Sequence, residues 1–214
     1  MTTLYGYFRS SAAYRVRIAL NLKGLAYDQA PVNLVKGEQR GEDNLARNPQ
    51  GLVPVLETDD GTQLTQSLAI CEYLDERHPE PPLLPADAEG RARVRSLAQL
   101  VACEIHPLNN LKVLKYLVHE LKVNEEAKLA WYRHWVAEGF SALEARLANE
   151  PRTGTFCHGD SPTLADICLV PQIFNAERFE CDLTAYPTLQ RITENCRKLE
   201  AFAKAAPGEQ PDAG

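Results

Sequence analysis

The stretch Thr3-Leu4-Tyr5-Gly6-Tyr7-Phe8-Arg9-Ser10-Ser11-Ala12-Ala13-Tyr14-Arg15-Val16-Arg17-Ile18-Ala19-Leu20 carries three signals in succession. Thr3 to Phe8 is short and aromatic-rich, the pattern of a buried strand. Beyond it, Ala12, Val16, Ala19 and Leu20 recur at helical spacing on one face, and Ile18 and Leu22 line another, so the helix is expected to be covered on two sides. Gly24 supplies its stop. Ser10 and Ser11 stand between strand and helix, where unpaired N–H groups and the helix dipole favour negative charge. Two readings stay open there: a serine that only caps the helix, or a turn that holds an anion.

Working outward, Tyr27 to Asn33 reads as a second strand and completes a β-α-β unit with a right-handed crossover. Residues 36–47 are polar, a loop with a short helix. A third strand starts at Val55, Asp59-Asp60-Gly61 is a hairpin turn, and Thr62 to Thr65 returns as its partner. Gln66-Ser67 opens a helix running to about His78, with Ala69, Ile70, Tyr73 and Leu74 apolar at helical spacing. The order β-α-β-α-β-β-α matches a thioredoxin-like domain over residues 1–80. Pro54 stands where that fold carries a cis peptide, which would turn the backbone of Val53 toward an extended ligand; a trans proline at a strand start is the generic alternative.

Pro79-Glu80-Pro81-Pro82-Leu83-Leu84-Pro85 is stiff and non-helical, so residues 81–87 read as a linker. Strand signals then vanish, and residues 88–214 read as an all-helical domain. Val94, Leu97, Ala98, Val101, Ile105 and Leu108 trace a long helix that Pro107 should kink. A second long helix covers about 125–148. Thr163 and Asp166 have capping-box spacing before an apolar run, Ile167 to Phe174, expected at the buried centre. A last helix should run from Tyr186-Pro187-Thr188 to about Ala205, with the tail from Pro207 frayed.

The chain has 214 residues, 44% of them hydrophobic and 24% charged, as in ordinary globular domains. A net charge of −6 argues against a nucleic-acid partner, and no apolar run reaches the length of a membrane span. The six cysteines form no Cys-x-x-Cys pair and match no metal spacing, so no metal is expected. With no export signal read at the start, a reducing cytoplasm is the expected compartment.

Several polar groups could converge on the Ser10 turn. Gln66-Ser67 is either a second cap or, with its free N–H groups, a carboxylate site. His106 and Asn110 are four apart and should share a helix face, as a ligand-holding pair or as satisfied polar residues. Lys112 could add charge there or lie on the surface. Arg178 is either salt-bridged to Glu177, Glu180 or another acid, or an anion clamp, because a guanidinium matches a carboxylate in two-point contact. Arg9 has the same two readings.

Tyr-Phe-Arg-Ser-Ser-x-x-x-Arg-Val-Arg-Ile-Ala-Leu at 7–20 resembles the signature of zeta-class glutathione transferases, and among them the maleylacetoacetate isomerases. The likeness continues through Asn48-Pro49, Val53-Pro54, Gln66 to Ile70, Leu83-Leu84-Pro85, Pro107 to Leu111, Leu164-Ala165-Asp166, Leu169 to Gln172, Asn175 to Phe179 and Gln210-Pro211-Asp212. Each block is weak alone; all in register make a strong signal. The resemblance implies an α/β plus all-α fold, a thioredoxin-like domain followed by a helical substrate-binding domain, usually as a homodimer, with glutathione as cofactor. It implies that Ser10, with Ser11 and Ala12 beside it, steadies the glutathione sulfur, and that the loop to Arg15 borders it. Gln39 and the Val53 backbone at Pro54 would hold the peptide, and Gln66 and Ser67 the γ-glutamyl end. His106, Asn110, Leu111 and Lys112 occupy the segment that reaches glutathione from the second domain. Arg178, and Arg9 with it, would face a small dicarboxylic keto acid. The family commonly has cysteine where this chain has Ala12, so no thiol at that position can act. His106 stands where other members carry glutamine and a related maleylpyruvate isomerase group carries histidine.

The activity so implied is glutathione-dependent cis–trans isomerisation of maleylacetoacetate to fumarylacetoacetate in tyrosine breakdown, with transferase or dehalogenase side activity. Rivals are maleylpyruvate isomerisation, a non-catalytic glutathione-transferase-like binding module, and a tyrosine-type transferase using Tyr5 or Tyr7.

Overall fold

The computed structural model describes residues 1–213. The chain forms two compact units: residues 1–83 with the chain from Arg197 onward, and Leu84–Cys196.

The first unit contains β1 (Thr3–Gly6), α1 (Ser11–Leu22), β2 (Asp28–Pro31), a 3-10 turn (Glu38–Arg40), α2 (Glu42–Arg47), β3 (Val55–Glu57), β4 (Gln63–Thr65) and α3 (Ser67–Arg77), in the order expected. Strand order is β2-β1-β3-β4. β1 runs parallel to β2, with Leu4 opposite Gln29, and antiparallel to β3, with Leu4 opposite Leu56. Gly61, at φ 83°, turns the β3–β4 hairpin. Every residue of α1 from Ala13 to Leu20 is buried, more than a two-sided stripe requires, and the set includes Arg15 and Arg17. Gly6 lets α1 approach β1, since a Cβ there would lie 3.1 Å from the Ala13 Cβ.

The expected last helix divides into α8 (Pro187–Arg197) and α9 (Glu200–Ala205), and α9 packs on α1. The tail does not fray. Pro207 and Gln210 are buried. The Gln210 Nε2 donates to the carbonyls of Lys204 (2.8 Å) and Ala206 (2.7 Å), and its Oε1 accepts from Gln29 Nε2 at 3.0 Å. A satisfied buried amide of this kind anchors a segment whose composition alone reads as mobile.

The second unit is built from α4 (Ala88–Gln99), a π-helical segment (Leu100–Ile105), α5 (Leu111–His119), α6 (Glu125–Asn149), α7 (Leu164–Arg178) and most of α8. The long helix expected to bend at Pro107 instead widens before it. The His106 N–H donates to the Val101 carbonyl, five residues back, at 2.9 Å. The helix ends where Pro107 offers no donor, and Asn110 caps a fresh helix, α5. Gly139 of α6 permits the close approach there: a Cβ would lie 2.3 Å from Ile105 Cδ1. The apolar centre expected in α7 is present, with every residue from Leu164 to Ile173 buried. Among the described residues, no helix is long and apolar enough to cross a membrane.

Asp166, fully buried, organises the start of α7. Its carboxylate accepts the N–H groups of Cys157 and Thr163, each at 2.8 Å, and the Thr163 hydroxyl at 2.9 Å. Burial pushes its pKa up, and those donors pull against the rise. Asp166→Ala strands three buried donors, and a stability loss of about 3 kcal/mol is expected in urea unfolding. Asp166→Asn turns one acceptor into a donor and should lose nearly as much. A loss below about 1 kcal/mol for both would show that the cap is dispensable.

Candidate active site

The end of β1 delivers the chain into a turn closed by the Ser10 N–H donating to the Tyr7 carbonyl at 2.9 Å. Ser10 is extended and caps α1: its Oγ accepts the Ala13 N–H at 3.2 Å. The two readings of this serine are therefore compatible. The cap uses a lone pair and leaves the hydroxyl proton to donate to a ligand. Ser11 is buried in the first turn, and Ala12 beside it is half-buried. Arg9 lies over the Phe8 ring, 4.8 Å from its centroid, and donates to the Tyr7 hydroxyl at 3.0 Å.

A second helix start, that of α3, lies within hydrogen-bond reach of Arg15 in α1, and the two helices pack together. Gln66 precedes Ser67 with φ 67°, a left-handed conformation that a side chain with a Cβ adopts at a cost. Its exposed side chain donates to Gln50 Oε1 at 2.8 Å. Ser67 is buried, and its Oγ accepts from Arg15 Nη1 at 3.3 Å. Arg15 is only 2% exposed, and its Nε and Nη2 have no hydrogen-bond partner among the described residues. The arrangement places a full positive charge behind Ser67, adding to the partial charge of the α3 N-terminus.

The Val53–Pro54 peptide is cis, as the thioredoxin-like pattern implied; Glu80–Pro81 is also cis. Val53 precedes β3 and so lies outside the β1–β3 ladder. Gln39 sits in the 3-10 turn, its carbonyl accepting from Asn44 Nδ2 at 3.0 Å, while its buried Oε1 has no partner among the described residues.

In the second unit, His106 and Asn110 meet across a helix break rather than along one helix. Asn110 Nδ2 lies 3.4 Å from His106 Nε2. The Asn110 Oδ1 accepts the Lys112 N–H at 3.0 Å, and Leu111 and Lys112 are exposed in the first turn of α5. Arg178 is exposed at the end of α7, donating to Asn175 Oδ1 at 3.3 Å, with its guanidinium 5.0 Å from the Phe179 centroid. Glu180 pairs with Arg133 at 3.7 Å.

Residues 4–82 match the glutathione S-transferase N-terminal domain, and residues 130–191 the C-terminal domain. The chain is 51% identical over 206 residues to maleylacetoacetate isomerase of Rhizobium meliloti, covering 96% of each chain. It is 50% identical over 210 residues to maleylpyruvate isomerase of a Ralstonia species, covering 98% of each. Among solved structures, a holo maleylpyruvate isomerase, described as a bacterial glutathione S-transferase of the zeta class, superposes with a TM-score of 0.97 at 48% identity, covering 99% of this chain and all of that one. The chain belongs to the zeta class of glutathione transferases. A maleylacetoacetate isomerase from Anaeromyxobacter dehalogenans, with dicarboxyethyl glutathione and citrate in its active site, matches this transferase at TM-score 0.89 and 49% identity, covering all of this chain and 98% of that one.

The transferase has features that sequence reading missed. Gln50 partners Gln66, and Asn44 partners Gln39, although neither stands in a motif with its own chemical signal. Asn109, next to the expected pair, is buried and donates to the Tyr132 carbonyl at 3.1 Å. Of the tyrosines offered as rival thiol partners, the Tyr7 hydroxyl accepts from Arg9 at 3.0 Å and the Tyr5 ring lies under Arg47, 4.1 Å from guanidinium carbon to ring centroid; neither contact uses the phenol proton.

An incompletely paired buried cation burdens stability unless it serves binding. Arg15→Met, of similar length, should leave unfolding free energy within about 1 kcal/mol of the parent or raise it. The same change should weaken glutathione binding, measured by calorimetry, about tenfold or more. Unchanged affinity with a large stability loss would assign Arg15 to the scaffold alone.

Proposed function

We propose that this transferase is a glutathione-dependent isomerase that converts maleylacetoacetate to fumarylacetoacetate, a step of tyrosine and phenylalanine catabolism. The observation that carries the reading is the Ser10 hydroxyl, set at the N-terminus of α1 with its lone pair in the cap and its proton free to donate. When bound, glutathione supplies a thiolate that adds reversibly to the cis double bond beside a carbonyl, leaving a single bond that can rotate before the sulfur departs. Ser10 donates to that sulfur and, with the α1 N-terminus and Ser11 and Ala12 beside it, keeps it ionised near neutral pH. Ser67 and the strained Gln66 take the γ-glutamyl carboxylate at the α3 N-terminus, with the Arg15 charge behind them. Gln39 and the Val53 backbone at Pro54 hold the peptide. By the family pattern, His106, Asn110, Leu111 and Lys112 contribute to tripeptide binding. Arg9 and Arg178 serve the two carboxylates of the keto acid and the negative charge that develops on its carbonyl oxygen.

Residues 81–87 act as the linker in this reading, and the helices of the second unit from residue 88 as the substrate-binding domain, the chain from Arg197 onward belonging to the first unit. A homodimer in the cytoplasm is part of the same proposal. None of the six cysteines forms a disulfide among the described residues, which suits a reducing compartment. Half identity to a named maleylpyruvate isomerase, together with His106, supports the smaller maleyl keto acid as a second substrate.

Maleylacetoacetate should be converted only when glutathione is present, and faster than maleylpyruvate or an α-halo acid. Ser10→Ala should lower kcat/KM about a hundredfold. Equal conversion without glutathione, or weak equal turnover of all three substrates, would overturn the assignment.

A further inference from the structure

The last residues of the chain reach back to the loop that presents Ser10. The Phe8 N–H donates to Asp212 Oδ2 at 3.0 Å. The other side of the same residue is held as well: Arg17 Nη2 donates to the Phe8 carbonyl at 2.9 Å, and Arg17 Nε to the Ala205 carbonyl at 3.0 Å. Arg17 is 1% exposed, and burial lowers its pKa to about 10, with the Asp212 charge among the groups that oppose the drop. Gln210, fixed by its three amide hydrogen bonds, sets the approach of the segment, and the Ala213 N–H closes a turn on the Gln210 carbonyl at 3.0 Å. Phe8 is thus gripped by its N–H and its C=O, two residues before Ser10, from opposite ends of the chain.

We propose that Asp212 is a positioning residue for the isomerase reaction: by accepting the Phe8 N–H it aims the Ser10 hydroxyl at the glutathione sulfur. The proposal rests on the Ser10 reading above. Nothing in α1 itself demands this clamp, since the Ala13 N–H already satisfies the cap at Ser10. What the clamp adds is direction to the loop before the cap, where a small displacement of a donor is felt strongly in the chemical step. Asp212 is half-buried near the chain end and belongs to no strand or helix, so its loss should leave the fold intact.

The test titrates the thiol of glutathione bound to the full-length protein by its thiolate absorbance, alongside kcat, KM and thermal melting of the free protein. Asp212→Ala should raise the bound thiol's apparent pKa and lower kcat about tenfold, with glutathione KM changed by about twofold at most. Asp212→Asn keeps an acceptor oxygen for Phe8 and should stay within about twofold of the parent in both parameters. In a Ser10→Ala background, Asp212→Ala should add nothing, because the two act through one hydroxyl. If Ser10→Ala shifts the titration and Asp212→Ala does not, the proposal is overturned and the Ser10 reading stands. If Ser10→Ala leaves the titration unmoved, both are overturned. A lower melting temperature with parental titration and kcat would reduce Asp212 to a stabiliser and overturn the proposal.

Discussion

The hydrogen bond from the Ala13 N–H to the Ser10 Oγ settles where α1 begins, and with it the direction of the helix dipole and of the serine hydroxyl. A start one residue later would put Ser11 at the cap and turn both features away. β1 delivers the chain to this point, with its pairing to β2 and β3 holding Leu4 at the sheet's centre and Gly6 allowing the helix to close on the strand. The dipole and the donor proton are small effects singly, but in the proposed complex both would act on the same ligand atom, in a partly buried turn where electrostatic interactions weaken little with salt.

Helix α1 carries two buried cationic residues, Arg15 and Arg17, and its C-cap Lys23 is a third, each tied to a different part of the first unit. Arg15 reaches Ser67 at the start of α3. Arg17 joins the Phe8 carbonyl to the end of α9. Lys23 pairs with Asp75 at 2.7 Å and donates to the Pro81 carbonyl. Lys23 and Arg17 are matched by acceptors suited to them, whereas Arg15 keeps donors without partners among the described residues. That asymmetry leaves the Arg15 guanidinium, beside Ser67, with unmet donors, which is the property the proposed carboxylate site draws on. The strained Gln66 beside Ser67 follows the same logic, since backbone strain persists where a site needs it.

Local signals were legible in the sequence. Strand, polar turn and helix at residues 3–22, the Asp59-Asp60-Gly61 hairpin, the α7 cap at Thr163 and Asp166, and the cis Val53–Pro54 peptide all rest on short-range chemistry or on family pattern. The features that could not be read depend on distant partners. The docked tail needs Gln29 and Phe8, nearly the whole chain away. The widening of the helix before Pro107 needs Gly139 of α6 to make room for Ile105. The division between α8 and α9 comes where the chain leaves the second unit to cover α1 in the first. Ser10 and Ser67 were visible as helix starts, but the link between them runs through Arg15, whose buried guanidinium has no local signature. Local chemistry names the candidate residues; long-range packing decides which of them can act on one another.

The role of Ser10 depends on where the sulfur of the tripeptide sits. A crystal structure of the glutathione complex measures that directly. The sulfur is expected in hydrogen-bond contact with the Ser10 Oγ, and the γ-glutamyl carboxylate on the Ser67 N–H and hydroxyl. A sulfur bound away from the α1 N-terminus, or resting on Tyr5 or Tyr7 instead, would contradict that role.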